Sequence, residues 1–169
     1  MQRLCYEPLA VEHAQDLFPM YADPAIYEYI SDRPAAAVAD VAARICRLAG
    51  GPPADRAREL WWNFVVRRTD SGVAIGLMDV TLVDDRAEVG YVFGSAHWGR
   101  GYATEAVEWL HQHLRERSTA ATFWATVLPG NARSIRLLQR LGYAPASEWP
   151  ALGSYHAGDL VYTRPAVAR

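Results

Sequence analysis

The stretch from Val89 to Arg117 constrains the fold more than any other part of the sequence. An apolar run, Val89–Phe93, is typical of a strand, and a helical pattern follows a loop that contains Gly99 and Gly101. Glycine lacks a Cβ atom, so the backbone can adopt unusual conformations there and a ligand can approach closely. A strand that turns through such a loop into a helix presents free N–H groups beside the positive end of the helix dipole. The pattern predicts a site for an anion, above all a phosphate or pyrophosphate.

Neither of the common nucleotide-binding motifs is present in this loop. A dinucleotide-binding fingerprint needs a third glycine where Thr104 stands. A Walker-type loop ends in Gly-Lys-Ser/Thr, whereas this chain has Gly101-Tyr102-Ala103 and contains no lysine. A glycine-rich turn that only caps the helix is the alternative to a ligand site.

Two motifs resemble those of the GNAT N-acetyltransferases. Trp98–Ala103 resembles the family's acyl-CoA loop, Gln/Arg-x-x-Gly-x-Gly/Ala, although Trp98 departs from the usual Gln/Arg. The longer run Trp98–Ala106 resembles the subgroup that acetylates the N-terminal residues of ribosomal proteins. Downstream, Asn131–Tyr143 resembles the family's Asn-x-x-Ser-x-x-x-Leu-x-x-x-Gly-Phe/Tyr helix. The resemblance covers roughly residues 2 to 164 and implies acetyl-CoA as the cosubstrate.

The resemblance also implies which residues bind the cosubstrate. In this family, the strand before the loop and the strand after its helix splay apart, and pantetheine enters the gap. The expected pantetheine contacts are the backbone groups of Phe93, Gly94 and Ser95. The expected pyrophosphate site comprises Trp98, Gly99, Arg100, Gly101, Tyr102, Ala103 and Thr104, with Asn131 as a further contact. The Arg100 guanidinium fits phosphate oxygens, but it can also simply face solvent. Trp98 can anchor the loop by packing, and Asn131 can serve as a helix N-cap.

Acetyl transfer to an amine requires a neutral amine, and most amines are protonated near pH 7. A carboxylate that accepts a proton is therefore useful. Glu88 is the first candidate, because it precedes Gly90 on a predicted strand and shares its face with that glycine. Asp79, on the adjacent predicted strand, is the second candidate. The alternative is that both carboxylates are simply exposed on their strands and that water is the base. Alignment of the reactants alone supplies much of the rate.

The departing thiolate needs a proton, and the resemblance leaves its source open. Many members of the family carry a tyrosine where this chain has Leu138. The ribosomal-protein subgroup suggests Ser134 as the substitute, near a helix start where the dipole favours negative charge. A serine there can also simply bond to the backbone. Because the tyrosine is missing, a non-catalytic module that senses acyl-CoA or holds a partner protein is the alternative function.

Composition limits the class of partner and the location. The chain has 169 residues, 51% of them hydrophobic, and a net charge of −2, which predicts one domain over 1–169. A near-neutral charge argues against nucleic acid as a partner. No apolar run approaches a membrane span and no signal peptide is visible, so a cytoplasmic location is the default. Two cysteines, Cys5 and Cys46, are too few for a disulfide framework, and we expect both to be buried thiols.

The expected partner is an amine acceptor, either a small molecule or a peptide N-terminus. A homodimer is a further expectation, and no metal site is predicted.

The fold expected from these patterns and from the resemblance is a single α/β domain. It has a mixed, mostly antiparallel sheet of six to seven strands, about four flanking helices and splayed central strands. Strands are predicted at 2–7, 60–68, 73–83, 87–93 and 122–128, with two closing strands within 144–164. Helices are predicted at 9–22, 35–49 and 101–117, and from Asn131 to near Gly142. The loop 150–158 lies where it could close over an acceptor.

Overall fold

Seven strands form one mixed sheet in the order β1-β2-β3-β4-β5-β7-β6. The computed structural model describes residues 2–166. Only the β4–β5 pair is parallel, and the other neighbours are antiparallel. The predicted fold class is confirmed. The strands are β1 (Leu4–Pro8), β2 (Leu60–Arg68), β3 (Ala74–Val83), β4 (Arg86–Phe93), β5 (Thr122–Val127), β6 (Ala144–Pro145) and β7 (Leu160–Pro165).

Four α-helices accompany the sheet in the part of the chain that the structure describes. They are α1 (Ala14–Tyr21), α2 (Val38–Ala49), α3 (Tyr102–Arg117) and α4 (Ala132–Arg140). The helix predicted at 9–22 is shorter, because a 3-10 turn occupies Val11–His13. Similarly, α2 begins three residues later than predicted. The Asp40 carboxylate accepts the N–H groups of residues 36 and 37 and so fixes the start of that helix.

The helices cover the two faces of the sheet in pairs. On one face, Leu110 of α3 and Leu138 of α4 pack with Phe123 into the larger apolar core. On the other face, Leu17 of α1 and Val41 of α2 pack into a smaller core. Side chains alternate along a strand, so residues 87, 89, 91 and 93 of β4 face α3 and α4. Residues 88, 90 and 92 face α1 and α2.

The central strands separate as the resemblance implied. The parallel register between β4 and β5 runs only from Arg86↔Thr122 to Glu88↔Trp124. Beyond that point β4 pairs with β3 alone and β5 pairs with β7 alone. The gap between the two strands connects one face of the sheet to the other.

Both cysteines are free thiols, but they differ in exposure. Cys5 is partly buried in β1. The prediction of a buried thiol is wrong for Cys46, because Val41 and Ile45 form the inward face of α2 and Cys46 lies on its outer side. Within residues 2–166, no helix is long and apolar enough to cross a membrane.

Candidate active site

A cavity of about 830 Å³ fills the gap between β4 and β5. Its volume lies in the range typical of small-ligand sites. The predicted site residues that line it are Glu88, Phe93, Trp98, Gly99, Gly101, Thr104, Asn131 and Ser134. The predicted residues Gly94, Ser95, Arg100, Tyr102 and Ala103 belong to the same loop and helix start but do not line the cavity. The structure thus brings both sequence motifs to one opening.

The glycine loop adopts a backbone that requires glycine. Gly99 has φ of 74° and Gly101 has φ of 78°, both in the left-handed region. Gly101 is the N-cap of α3, so the N–H groups of residues 102–104 have no acceptor inside the helix. A Cβ atom on Gly99 would meet no other atom within 4 Å. The space in front of the loop is therefore open to ligand atoms, and the helix dipole favours an anion there.

Trp98 anchors this loop and at the same time lines the cavity. Its indole N–H donates to the carbonyl oxygen of Phe93 at 2.7 Å. The N–H of Gly94 donates to the carbonyl of Ile75 at 3.0 Å, and the Ser95 hydroxyl donates to the Asp23 carboxylate. These groups are thus engaged within the protein. The edge of β4 over residues 89–92, which has no β5 partner, is better placed to offer backbone groups to a ligand arm.

Helix α4 contributes a basic edge that our sequence analysis missed. Arg133, Arg136 and Arg140 all line the cavity. The Arg133 guanidinium stacks over the Trp98 ring at 3.9 Å from its centroid. The spacing i, i+3, i+7 puts the three side chains on one helix face, and this periodicity could have revealed them. Guanidinium groups match phosphate oxygens in geometry and charge, so this edge suits a phosphate-rich ligand.

Two hydroxyl groups meet in the gap. The Ser134 Oγ and the Tyr91 phenol oxygen are 2.7 Å apart. Asn131 Oδ1 accepts the N–H of Ser134 at 3.1 Å, which confirms Asn131 as the N-cap of α4. Burial raises the pKa of Tyr91 to about 12, so this phenol is neutral near pH 7. Tyr91 was not singled out from the sequence, although its alternation with Val89 and Phe93 placed it on the face toward α4. Leu138 lies in the core with no exposed surface.

Asp79 and Glu88 lie on the α1/α2 side of the gap, with different surroundings. Asp79 is partly buried and has no hydrogen-bond partner among residues 2–166. It pairs across the strands with Gly90, where a Cβ atom would come within 2.5 Å of an Asp79 oxygen. Only glycine at position 90 leaves room for this carboxylate. Burial, together with the charge of Glu88, raises the pKa of Asp79 to about 6.

Glu88 is buried and holds the loop between β6 and β7 against the groove. Its carboxylate accepts the N–H groups of Gly153 at 3.0 Å and Ser154 at 3.3 Å, and it also accepts the Ser154 hydroxyl. The Thr126 and Ser154 hydroxyls are 2.6 Å apart. Ser154 and His156 of this loop line the cavity. The loop therefore forms the outer wall of the opening on the α1/α2 side.

Comparison with known proteins identifies the family. A sequence model described as the acetyltransferase (GNAT) domain matches residues 3–144. The chain belongs to the GNAT acetyltransferase family. This acetyltransferase is also 30% identical over 148 residues to an uncharacterised N-acetyltransferase, p20, of Bacillus licheniformis, a match that spans 84% of this chain and 79% of that protein.

Solved structures of acetyltransferases share the fold at low sequence identity. A GNAT-family acetyltransferase from Bacillus anthracis is 18% identical with a TM-score of 0.75, covering 97% of this chain and 95% of that one. The microcin C7 self-immunity acetyltransferase MccE, in complex with acetyl-CoA and AMP, is 15% identical with a TM-score of 0.76, covering 98% and 93%. An acetyltransferase from Salmonella typhimurium that modifies the N-terminal serine of ribosomal protein L7/L12 is 14% identical with a TM-score of 0.74, covering 98% and 96%. These likenesses show the fold, whereas the match to the GNAT domain and to the Bacillus licheniformis relative makes this protein an acetyl-CoA-dependent acetyltransferase.

Proposed function

We propose that this acetyltransferase transfers an acetyl group from acetyl-CoA directly to a primary amine, with both substrates bound at once. The observation that carries the proposal is the cavity in the gap between β4 and β5, which is lined by residues from both faces of the sheet. On the α3/α4 side lie the glycine loop and the basic edge of α4. On the α1/α2 side lies the Asp79 carboxylate. Anionic and cationic substrates can therefore enter from opposite faces and meet in the gap.

The site fits acetyl-CoA by its shape and charge. The open space before Gly99, the free N–H groups at the start of α3 and the three arginines of α4 suit a pyrophosphate and a further phosphate. Acetyl-CoA supplies a thioester whose carbonyl carbon is open to attack by an amine. The protein's own contribution is to bind, to orient and to move two protons.

We assign the role of base to Asp79. An ammonium ion bound to this carboxylate can lose a proton to it, because a pKa of about 6 suits a base that works near neutral pH. The amine nitrogen then bonds to the acetyl carbon as the carbon–sulfur bond breaks. Its second proton replaces the one that Ser134 gives to the thiolate, and the proton on Asp79 passes to solvent. Glu88, our first candidate from the sequence, already accepts three hydrogen bonds from residues 153 and 154. We propose that Glu88 positions the loop instead.

We assign the proton for the departing thiolate to Ser134. Its backbone N–H is bound by Asn131, and its hydroxyl meets Tyr91 rather than a carbonyl. If the phenol donates to Ser134 Oγ, the serine hydrogen is free to point at the sulfur. The N-terminus of α4 stabilises negative charge at that point. Tyr91 is then a positioning residue that acts through Ser134.

Calorimetric titration with acetyl-CoA tests the binding half of the proposal, with ATP and NAD as competing nucleotides. We expect selective binding of acetyl-CoA that is weakened at least tenfold by Gly99→Ala. Gly51→Ala is the matched control, because Gly51 also has φ of 74° and open space at its Cβ but lies at the end of α2. Equal binding by both variants, or a preference for ATP or NAD, would contradict the assigned loop.

Two kinds of acceptor fit this proposal, a small-molecule amine and a peptide N-terminus. The likeness to the Salmonella typhimurium enzyme that modifies ribosomal protein L7/L12 is one of fold alone at 14% identity. It keeps a peptide acceptor in consideration without favouring it. A cytoplasmic location and a homodimer remain predictions from the sequence.

A further inference from the structure

A second cavity, of about 400 Å³, adjoins the acceptor end of the groove. It lies between α2 and the α1/α2 face of β3 and β4. Asp79, Tyr91 and Val92 line both cavities, so the second one begins at the carboxylate that we assign as the base. An acceptor whose amine lies at Asp79 therefore has its remaining atoms directed toward the second cavity.

The walls of the second cavity are mainly apolar. Tyr21, Ile30, Leu48, Leu77 and Val92 supply them. The guanidinium of Arg44 is paired with the Asp32 carboxylate and stacks on the Tyr21 ring at 4.6 Å from its centroid. Arg47 lies at the exposed rim. Asp32 lines this cavity too, but Arg44 already neutralises its carboxylate. A second ammonium group placed here would therefore find no free carboxylate besides Asp79 and would lie near two guanidinium groups, whereas an apolar group would displace water from apolar walls.

The carboxylates along the groove also favour an acceptor with a single ammonium group. Four of them line the larger cavity: Asp32, Asp79, Glu88 and Asp159. Asp32 is paired with Arg44, Glu88 is bound by residues 153 and 154, and Asp159 accepts the N–H of His156 at 2.8 Å. Of these four, only Asp79 has no hydrogen-bond partner within residues 2–166. The deep part of the groove thus offers one carboxylate for one ammonium ion.

We propose that the acceptor is a primary monoamine that carries an apolar or aromatic group, with its amine at Asp79 and that group in the second cavity. This inference rests on the proposed amine acetylation and narrows it. The proposal excludes polyamines and aminoglycosides as acceptors. Their additional ammonium groups would find no free carboxylate and would be repelled by the guanidinium groups.

The test compares initial rates of CoA thiol release with four probe amines. They are phenethylamine, ethanolamine, spermidine and the tripeptide Phe-Gly-Gly. We expect kcat/KM for phenethylamine to exceed the values for ethanolamine and spermidine by about 10- to 100-fold, the range that an apolar pocket provides. If kcat/KM for Phe-Gly-Gly equals or exceeds that for phenethylamine, the preference for a monoamine with an aromatic group is supported. The acceptor is then identified as a peptide N-terminus.

A cavity-filling variant links this preference to the second cavity. Leu48→Trp places a large ring in the cavity, and we expect it to lower kcat/KM for phenethylamine about tenfold while that for ethanolamine stays unchanged. Ala43→Trp adds the same ring at an exposed position of α2 that lines neither cavity and is the matched control. Thermal unfolding of both variants verifies that they fold.

The outcomes separate this inference from the function on which it rests. Faster turnover of spermidine than of phenethylamine, or an equal loss for all amines in Leu48→Trp, overturns the inference and leaves amine acetylation standing. If acetyl-CoA binds but none of the four amines is acetylated, both the inference and the proposed function fail.

Discussion

At the scale of single residues, Asp79 is the group whose surroundings differ most from those of an ordinary surface carboxylate. Its pKa is raised to about 6 by burial and by Glu88, so it is ionised at pH 7 and protonated below pH 6. We expect kcat at saturating amine to fall below pH 6 in the wild-type enzyme. Asp79→Asn should lower kcat at pH 7.5 by about 100-fold, within the range for loss of a general base, and should lack the fall near pH 6.

Stability measurements show whether this loss reflects chemistry rather than unfolding. A carboxyl group with a raised pKa in the folded state destabilises the protein above that pKa, because the unfolded chain ionises more easily. Asp79→Asn should therefore unfold at the same or a higher temperature than the wild type at pH 7.5. A fall of kcat near pH 6 that persists in the variant would remove the base role from Asp79.

Ser134 and Tyr91 act together in the proposed transfer of a proton to the thiolate. Ser134→Ala should lower kcat about 100-fold, at the lower end of the range for loss of a general acid, with little change in acetyl-CoA affinity. Tyr91→Phe removes only the phenol oxygen and should lower kcat less. In the double variant, Tyr91→Phe should add nothing further, because its effect passes through Ser134.

Tyr6→Phe is the control for this pair, since the Tyr6 hydroxyl is buried without a partner in the described residues and lies outside the cavity. Additive losses from Tyr91→Phe and Ser134→Ala would show that the two hydroxyls act separately. An unchanged kcat in Ser134→Ala would remove the acid role altogether.

At the scale of elements, α4 shows what the sequence could and could not reveal. Asn131 was predictable as a cap, and Gly142, with φ of 82°, ends the helix as its position indicated. The face that carries Arg133, Arg136 and Arg140 follows from helical periodicity. That this face borders the gap follows only from the packing of Leu138, on the opposite side of the helix, into the larger core. Such long-range packing is invisible in local patterns.

The basic edge of α4 gives a prediction for binding. Arg136→Ala and Arg140→Ala should each raise KM for acetyl-CoA about threefold to tenfold with kcat unchanged, since the guanidinium groups bind phosphate without taking part in the reaction. The effect should shrink in high salt, which screens exposed charges. Arg117→Ala at the end of α3 removes an exposed arginine outside the cavity and is the control. An effect on kcat alone would contradict a binding role.

The distinction between Glu88 and Asp79 also lies beyond local sequence patterns. Both residues stand on the strands predicted for them, and both line the larger cavity. Their roles depend on the loop at residues 153 and 154, some 65 positions away from Glu88 in the chain. No pattern around Glu88 indicates that this loop returns to bind it. The sequence therefore ranked Glu88 before Asp79 as the base, whereas the contacts of Glu88 lead us to propose Asp79.

At the scale of the whole molecule, His111 joins the elements of the larger core and makes stability depend on pH. It is 2% exposed, its Nε2 lies 2.8 Å from the Tyr143 hydroxyl, and its ring stacks on Phe123. Burial, with the charges of Arg164 and Arg115, lowers the pKa of His111 to about 3. Between pH 6.5 and pH 3 the unfolded chain therefore binds a proton that the folded chain does not, and stability falls as the pH falls.

His111→Gln tests this dependence, because glutamine does not titrate and can still bond to Tyr143. From pH 7 to pH 4.5, the wild-type free energy of unfolding should fall by about 3 kcal/mol more than that of the variant, at about 1.4 kcal/mol per pH unit below the unfolded pKa. Urea unfolding at both pH values measures the difference. His156→Gln changes a histidine in the exposed loop and should leave the free energy of unfolding unchanged at both pH values. If the free energies of unfolding of His111→Gln and of the wild type differ by the same amount at both pH values, His111 contributes only packing. The acid sensitivity then arises elsewhere in the fold.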